Sequence, residues 1–457
     1  MRTSLTTLMT VVCVACGAAM TMAVEANRQG GQSLRTVFDY SGPSQSAVMP
    51  SGAVTPMPVA DAGYVVVSDE QADAAKTDSA TGCCDSTSCC STCGGNSCDC
   101  NCNSNCWLSR YENCTLESLL GMECCSDWNV GGWMEFGYMS NNVPLSQAYN
   151  DLLSFDDVPD HLHAEQIWFY SEKTTDGSCG CDWGGRFDIL YGTDAQKTQA
   201  FGNPGAGVRN FGTWDASLDH GEYGWAMPQA YAEVAYQNLK VKLGHFFTLV
   251  GYEVVPATGN FFRTHSYTMF NSEPFTHTGA LASYEVDDCL TIHAGWVLGW
   301  DTGFDQLNSG NAFHGGFIRK LGDNSSLSYM LTYGNFGWRD GGDDNSYSHS
   351  VVYTNDLNDC WQYVLQSDYI RTSNDGVSEF DTIGAVNYLF YKVSDKAKLG
   401  GRMEWWKADG VSFYEATAGV NLWAAKNIVV RPEWRQDWAP AIGLDEDTFS
   451  IDAILTF

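Results

Sequence analysis

From about residue 128 to its end the chain alternates apolar and polar side chains with a period of two. It never runs apolar for the roughly 18 residues that a membrane-crossing helix needs. Alternation at that period belongs to strands with one apolar and one polar face. In NVGGWMEFGYMS the apolar set is Val130, Met134, Phe136 and Tyr138, with Glu135 on the other face. LTIHAGWVLGW sets Ile292, Ala294 and Trp296 against Thr291 and His293, and NLKVKLG sets Leu239, Val241 and Leu243 against Lys240 and Lys242. SLSYMLTY and SFYEATAGVNL read the same way, and so does the terminal TFSIDAILTF, where only Ile454 breaks the phase.

A patterned strand at a chain end frays unless a sheet holds it on at least one side. Either a soluble sandwich or a closed barrel would do this, and the connections separate the two. AAKN, SDKAK, DLNDC, GDNSS, VDDC and YQN are short, whereas residues 141–161, 192–228, 251–278, 301–311 and 337–348 are long and rich in Gly, Asp and Asn. Short joints alternating with long ones give one rim of tight turns and one of excursions, as in outer-membrane barrels. The expectation is therefore an all-β fold, a transmembrane antiparallel up-and-down barrel of about 16 strands, with its last strand paired to its first. Its apolar face meets lipid, so the polar phase, which includes Arg186, Asp188, Glu233, Arg402, Glu404, Arg431, Glu433, Arg435 and Asp452, must line the lumen. Pro432 falls in the apolar phase and calls for a bulge or an early strand end.

Four segments follow. Residues 1–26 read as a secretory signal, with Arg2, an apolar run and cleavage after Ala23 or Ala26; a lipoprotein signal at Cys16 is the lesser alternative. Residues 27–82 read as a polar, disordered linker. Residues 83–125 form a tract holding Cys83, Cys84, Cys89, Cys90, Cys93, Cys98, Cys100, Cys102, Cys106, Cys114, Cys124 and Cys125. In an oxidising compartment such a tract suits disulfides, within or between chains, better than a metal centre. Residues 126–457 form the barrel. With 24 basic against 55 acidic residues, a formal net charge of −31, nucleic acid is excluded as a partner. The abundant aromatics (16 Trp, 22 Tyr, 22 Phe) suit strands and the interfacial belts of a membrane.

The segment from Trp128 to Phe457 resembles the OmpL-like porin-2 family of Putative β-barrel outer-membrane porins. NVGGWMEFGY, the aromatic terminus and above all KLGHFFTLVGYEVVPATGNFFRTHSYTMFNSEPFTHTG carry the resemblance. It implies a passive, water-filled pore in the cell outer membrane for small hydrophilic solutes. Phe457 also looks like the terminal signal read by barrel-assembly machinery. A homo-oligomer is compatible with the family.

The loop 251–278 is unlike the others, because it mixes Phe261, Phe262, Tyr267, Phe270 and Phe275 with Glu253, Arg263, His265, Glu273 and His277. Aromatic side chains in a rim loop need a surface to pack on, so this loop is expected to fold into the lumen and narrow it, with Glu253, Arg263 and Glu273 at the constriction. A carboxylate-rich entrance gives a weak cation preference. No metal site or cofactor is expected: HLH at 161–163 lacks a third ligand, and DTGFDQLNSGN, with Asp301, Asp305 and Asn308, lacks the closing Glu of a calcium loop. The chain is read as no enzyme, since no nucleophile or zinc motif occurs and a hydrolase would rest on Glu404 with Glu415 alone. Cys179, Cys181, Cys289 and Cys360 fall in short turns, on the same rim as the cysteine tract, which keeps open a structural envelope barrel cross-linked through that tract.

Overall fold

The computed structural model describes residue 116 and residues 127–457, apart from 141–154, 157, 201–214, 216–217, 307–308, 338–345 and 375–376. The signal, the linker and the cysteines from Cys83 to Cys125 lie outside the described residues. Sixteen strands close into one antiparallel barrel in which each strand pairs with its neighbours in sequence and β1 (Asn129–Met139) pairs with β16 (Leu444–Thr456). At the seam Trp133 faces Thr456 and Met139 faces Ser450. The last residue is held as well, with Gly132 N–H to Phe457 O and Phe457 N–H to Gly132 O both 3.0 Å, and its ring 5.5 Å from that of Phe169. No strand edge is left open.

The burial pattern is that of a membrane barrel rather than a sandwich. Large apolar side chains of the outward phase are exposed, among them Phe136, Trp183, Leu243, Trp296, Met403 and Trp434, while Arg402, Arg431 and Arg435 are all at most 2% exposed. Water-soluble proteins reverse this, and lipid on the outside explains it.

Four sequence expectations change. The connections are not strictly short and long in turn: only two residues separate β11 (Trp361–Asn374) from the next strand, and after β13 (Ala397–Ala408) and β15 (Ile428–Ala439) the outer rim also turns tightly. Asp409 (φ 46°) and Gly410 (φ 96°) show the reason, since two left-handed residues close a two-residue hairpin whose twist matches its strands. Pro228 lies inside β4 (Gly224–Tyr236) rather than in the loop before it. Pro432 makes neither a bulge nor an end. It pairs with Ile451 in register, and the ladder to β14 (Val411–Ala425) passes from Gly419–Glu433 to Leu422–Val430, omitting the positions opposite the missing N–H. Cys179, Cys289 and Cys360 lie in short turns and Cys181 opens β3 (Cys181–Gly192); all four are exposed free thiols.

Candidate functional site

The connection between β5 (Leu239–Phe247) and β6 (Thr276–Asp287) spans residues 248–275, so it begins and ends three residues earlier than the sequence suggested, and His277 belongs to β6. Phe247 pairs with Thr276, so the two strands would meet as a hairpin without the loop. Instead the loop lies inside the barrel, bonded to inward-facing side chains of β1, β2 (His163–Lys173), β11, β12 (Val377–Ser394), β13 and β15. Its only α-helix is Tyr267–Ser272, where the Ser266 hydroxyl accepts from Met269 N–H at 3.1 Å.

An irregular loop inside a barrel must find partners for every backbone N–H and C=O that a strand would pair. Here the wall provides them with long charged side chains. Glu433 accepts from the N–H groups of Arg263 and Thr264 at 2.8 and 3.1 Å. Glu404 accepts from Tyr267 and Thr268 at 2.6 and 2.7 Å, at the start of the helix where unpaired N–H groups favour an anion. In the other direction, Arg402 donates to Thr264 O at 2.6 Å, Arg431 to Ala257 O and Asn260 O at 2.9 and 2.8 Å, and Arg435 to His265 O. These guanidinium groups also hold carboxylates. Arg402 bonds Glu415 at 2.8 Å and Glu253 at 2.5 Å, Arg431 bonds Glu135 at 2.9 Å and also Asp452, and Arg435 bonds Asp437 at 2.8 Å. Arg263 extends from the loop to Asp156 at 2.7 Å and to Glu165.

Apolar contacts fill the rest. Phe261 and Phe262 pack on Phe390 and with Val352, Val364, Val386 and Tyr388 of the inner wall, and Tyr267 stacks on Trp406. The wall carries glycine where the loop comes closest. A Cβ at Gly400 would stand 2.3 Å from the Phe261 ring and one at Gly384 2.0 Å from the Thr268 hydroxyl.

All twelve lumen and constriction residues expected from the sequence point inward, but most do not line open water. Glu253, Arg263, His265, Glu273, Asp188, Arg402, Glu404, Arg431, Glu433 and Arg435 are buried under or within the loop, and only Arg186 and Glu233 are half-buried. Arg186 bonds Asp188 at 2.7 Å, Glu233 accepts from Thr175, and Glu273 takes a bond from Gln366. The half-buried lumen residues beyond the loop are of both signs, with Glu172, Arg186 and Glu233 beside Lys240 and Lys242. Glu404 and Glu415 do sit opposite each other on β13 and β14, yet they are buried beneath the loop and spent on Tyr267, Thr268 and Arg402. Asp301 is likewise used: its Oδ1 accepts from the N–H groups of Phe275 and Thr276 at the loop's exit. His161 is exposed beside Glu222 at 3.6 Å, whereas His163 is buried against Glu165 at 3.2 Å, with the two imidazole rings 5.7 Å apart.

Sequence reasoning did not single out Glu165, Gln166 or Asp156. Gln166 bonds Trp133 and Asp194 and clasps the loop at Val255 O and Ala257 N–H, at 2.7 and 3.0 Å. The register steps from Phe136–Ala164 to Glu135–Gln166, which leaves Glu165 as a bulge and brings both neighbouring side chains into the interior.

Residues 127–457 match the family described as "Putative beta-barrel porin-2, OmpL-like". No curated protein matches the chain. Among solved structures, one described as "Asymmetric conductivity of engineered proteins" is 13% identical, with a TM-score of 0.45, over 72% of this chain and all of that one. A double mutant of the Rh. blastica porin is 13% identical over the same shares, with a TM-score of 0.46. The Vibrio cholerae outer membrane protein OmpT, in trimer form, is 12% identical with a TM-score of 0.43, over 72% of this chain and 99% of that one.

Proposed function

The chain belongs to the Putative beta-barrel porin-2, OmpL-like family, and from that premise we propose that it passes small hydrophilic solutes and ions passively through a lumen narrowed by the loop 248–275. Family and fold are those of an outer-membrane channel protein and not of an enzyme. The observation that supports the narrowing is the placement of this loop against the inner wall, held by charged side chains along its middle from Ala257 to Thr268. A solute then passes between the loop and the wall of β3, β4 and β5, past Arg186, Glu233, Lys240 and Lys242.

The buried arginines and carboxylates largely neutralise one another, and the half-buried lumen groups are mixed in sign. Selectivity therefore comes mainly from the acidic outer loops, whose carboxylates raise the local cation concentration at the entrance. The preference is expected to be weak and to fade as salt screens those charges. A planar bilayer with a salt gradient tests this. The expected reversal potential is small, of the cation-selective sign, and smaller still at higher mean salt; an anion-selective potential would contradict the reading.

A further inference from the structure

Where the barrel closes, β16, β1 and the bulge of β2 bring three carboxylates together. One oxygen from each of Glu135, Glu165 and Asp452 lies within 4.8 Å of the others, and all three residues are buried. Glu135 and Glu165 line a cavity of about 10 Å³, room for one water-sized occupant. Positive charge falls short here: Glu135, Glu165, Asp452 and Asp194 stand against Arg263 and Arg431. Arg263 is further shared with Asp156, and a charged His163 beside Glu165 would still leave carboxylates in excess.

A second observation is independent of the acids. His265, on the loop, lines the same cavity. Its Nε2 lies 3.3 Å from Val254 O and 3.4 Å from Asn260 Nδ2; with the proton on Nε2, donated to Val254 O, Nδ1 is a buried acceptor with no partner. A proton shared between carboxylates would leave that acceptor unmet, whereas a water carried by a metal ion would satisfy it. Space is also kept free at Gly137, where a Cβ would stand 2.4 Å from the Glu165 carboxylate.

We propose that Glu135, Glu165 and Asp452 bind one hard divalent cation of the calcium class, with a water on the ion donating to His265 Nδ1. All-oxygen, anionic donors select such ions over soft metals. Oxygens about 2.4 Å from calcium stand at most about 4.8 Å apart, and the three here lie within that distance of one another. Each carboxylate oxygen has two lone pairs, so the ion adds to the arginine bonds without displacing them. The ion would join the first two strands to the last across the seam. The proposal depends on neither the solute nor the open pore.

The test is terbium binding to the full chain, folded in detergent and stripped with chelator. Trp133 and Trp168, stacked at 4.6 Å in the adjoining wall, serve as sensitisers. The expected result is one terbium per chain, displaced by calcium. Glu135→Gln with Asp452→Asn should weaken binding at least tenfold, while Asp445→Asn with Asp447→Asn, on the exposed rim, should leave it unchanged. Absence of the bound equivalent in the folded parent chain would overturn the proposal, and so would its survival in the first double variant or its loss in the rim variant. Should the first double variant not fold, His265→Ala should bind several-fold more weakly, and unaltered affinity there would overturn the proposal too.

Discussion

Replacing Arg402 by alanine should lower the stability of the barrel by about 3–5 kcal/mol, the cost of leaving buried charges without their partner. Its guanidinium is 1% exposed and bonds Glu415 at 2.8 Å, Glu253 at 2.5 Å, Thr264 O at 2.6 Å and two hydroxyls at 3.1 and 3.3 Å. Truncation strands two carboxylates where water cannot enter freely, and Glu415 already faces Glu404 across the strand pair. The loss should appear as a lower urea midpoint for conversion of the compact, heat-modifiable form. Arg319→Ala, at an exposed position on β8 (Asn311–Lys320), should cost within about 0.5 kcal/mol and serves as the control. A loss at Arg402 no larger than that at Arg319 would mean that the pair is hydrated and that the loop does not cover it.

Excising the loop should change the pore more than any point substitution. Phe247 and Thr276 are already paired, so Thr248 to Phe275 can be replaced by an Asn-Gly hairpin turn without moving a strand. The variant loses the aromatic cluster on Phe390 and the helix against Trp406, and it opens Arg402, Arg431 and Arg435 with their carboxylates to water. Single-channel conductance should rise several-fold, because the narrowest section sets the resistance of a water-filled pore. Stability should fall as well, since backbone partners on Glu404 and Glu433 are lost. Unchanged conductance in a folded variant would place the narrow section elsewhere.

The barrel was legible in the sequence because its main rule, apolar out and polar in, is written at a period of two along many of its strands, although the inner wall beneath the loop is itself apolar at Val386, Tyr388 and Phe390. Even the exception was informative: Ile454, out of phase, faces inward and joins the apolar cluster around Trp133 and Trp168. The loop was legible from its aromatic content. What the sequence could not show is what the inward charges do. Alternation places Arg402, Glu404, Arg431 and Glu433 on the inner face, but whether that face meets water or a buried loop depends on where the loop lies. Glu165 illustrates a second limit. A bulge shifts the phase by one residue without leaving a mark in the pattern, so the partner of Arg263 and third member of the seam cluster was not singled out. Pro432 shows the converse, a residue whose usual penalty was met by two unpaired positions on a neighbouring strand rather than by any change of register.

The most direct test of the whole account is the single-channel conductance of the intact, heat-modifiable protein in a planar bilayer. A narrowed but open barrel predicts stable steps of uniform size that grow in proportion to salt. A folded protein that inserts and gives no steps would contradict it, and would make the loop 248–275 a plug rather than a constriction.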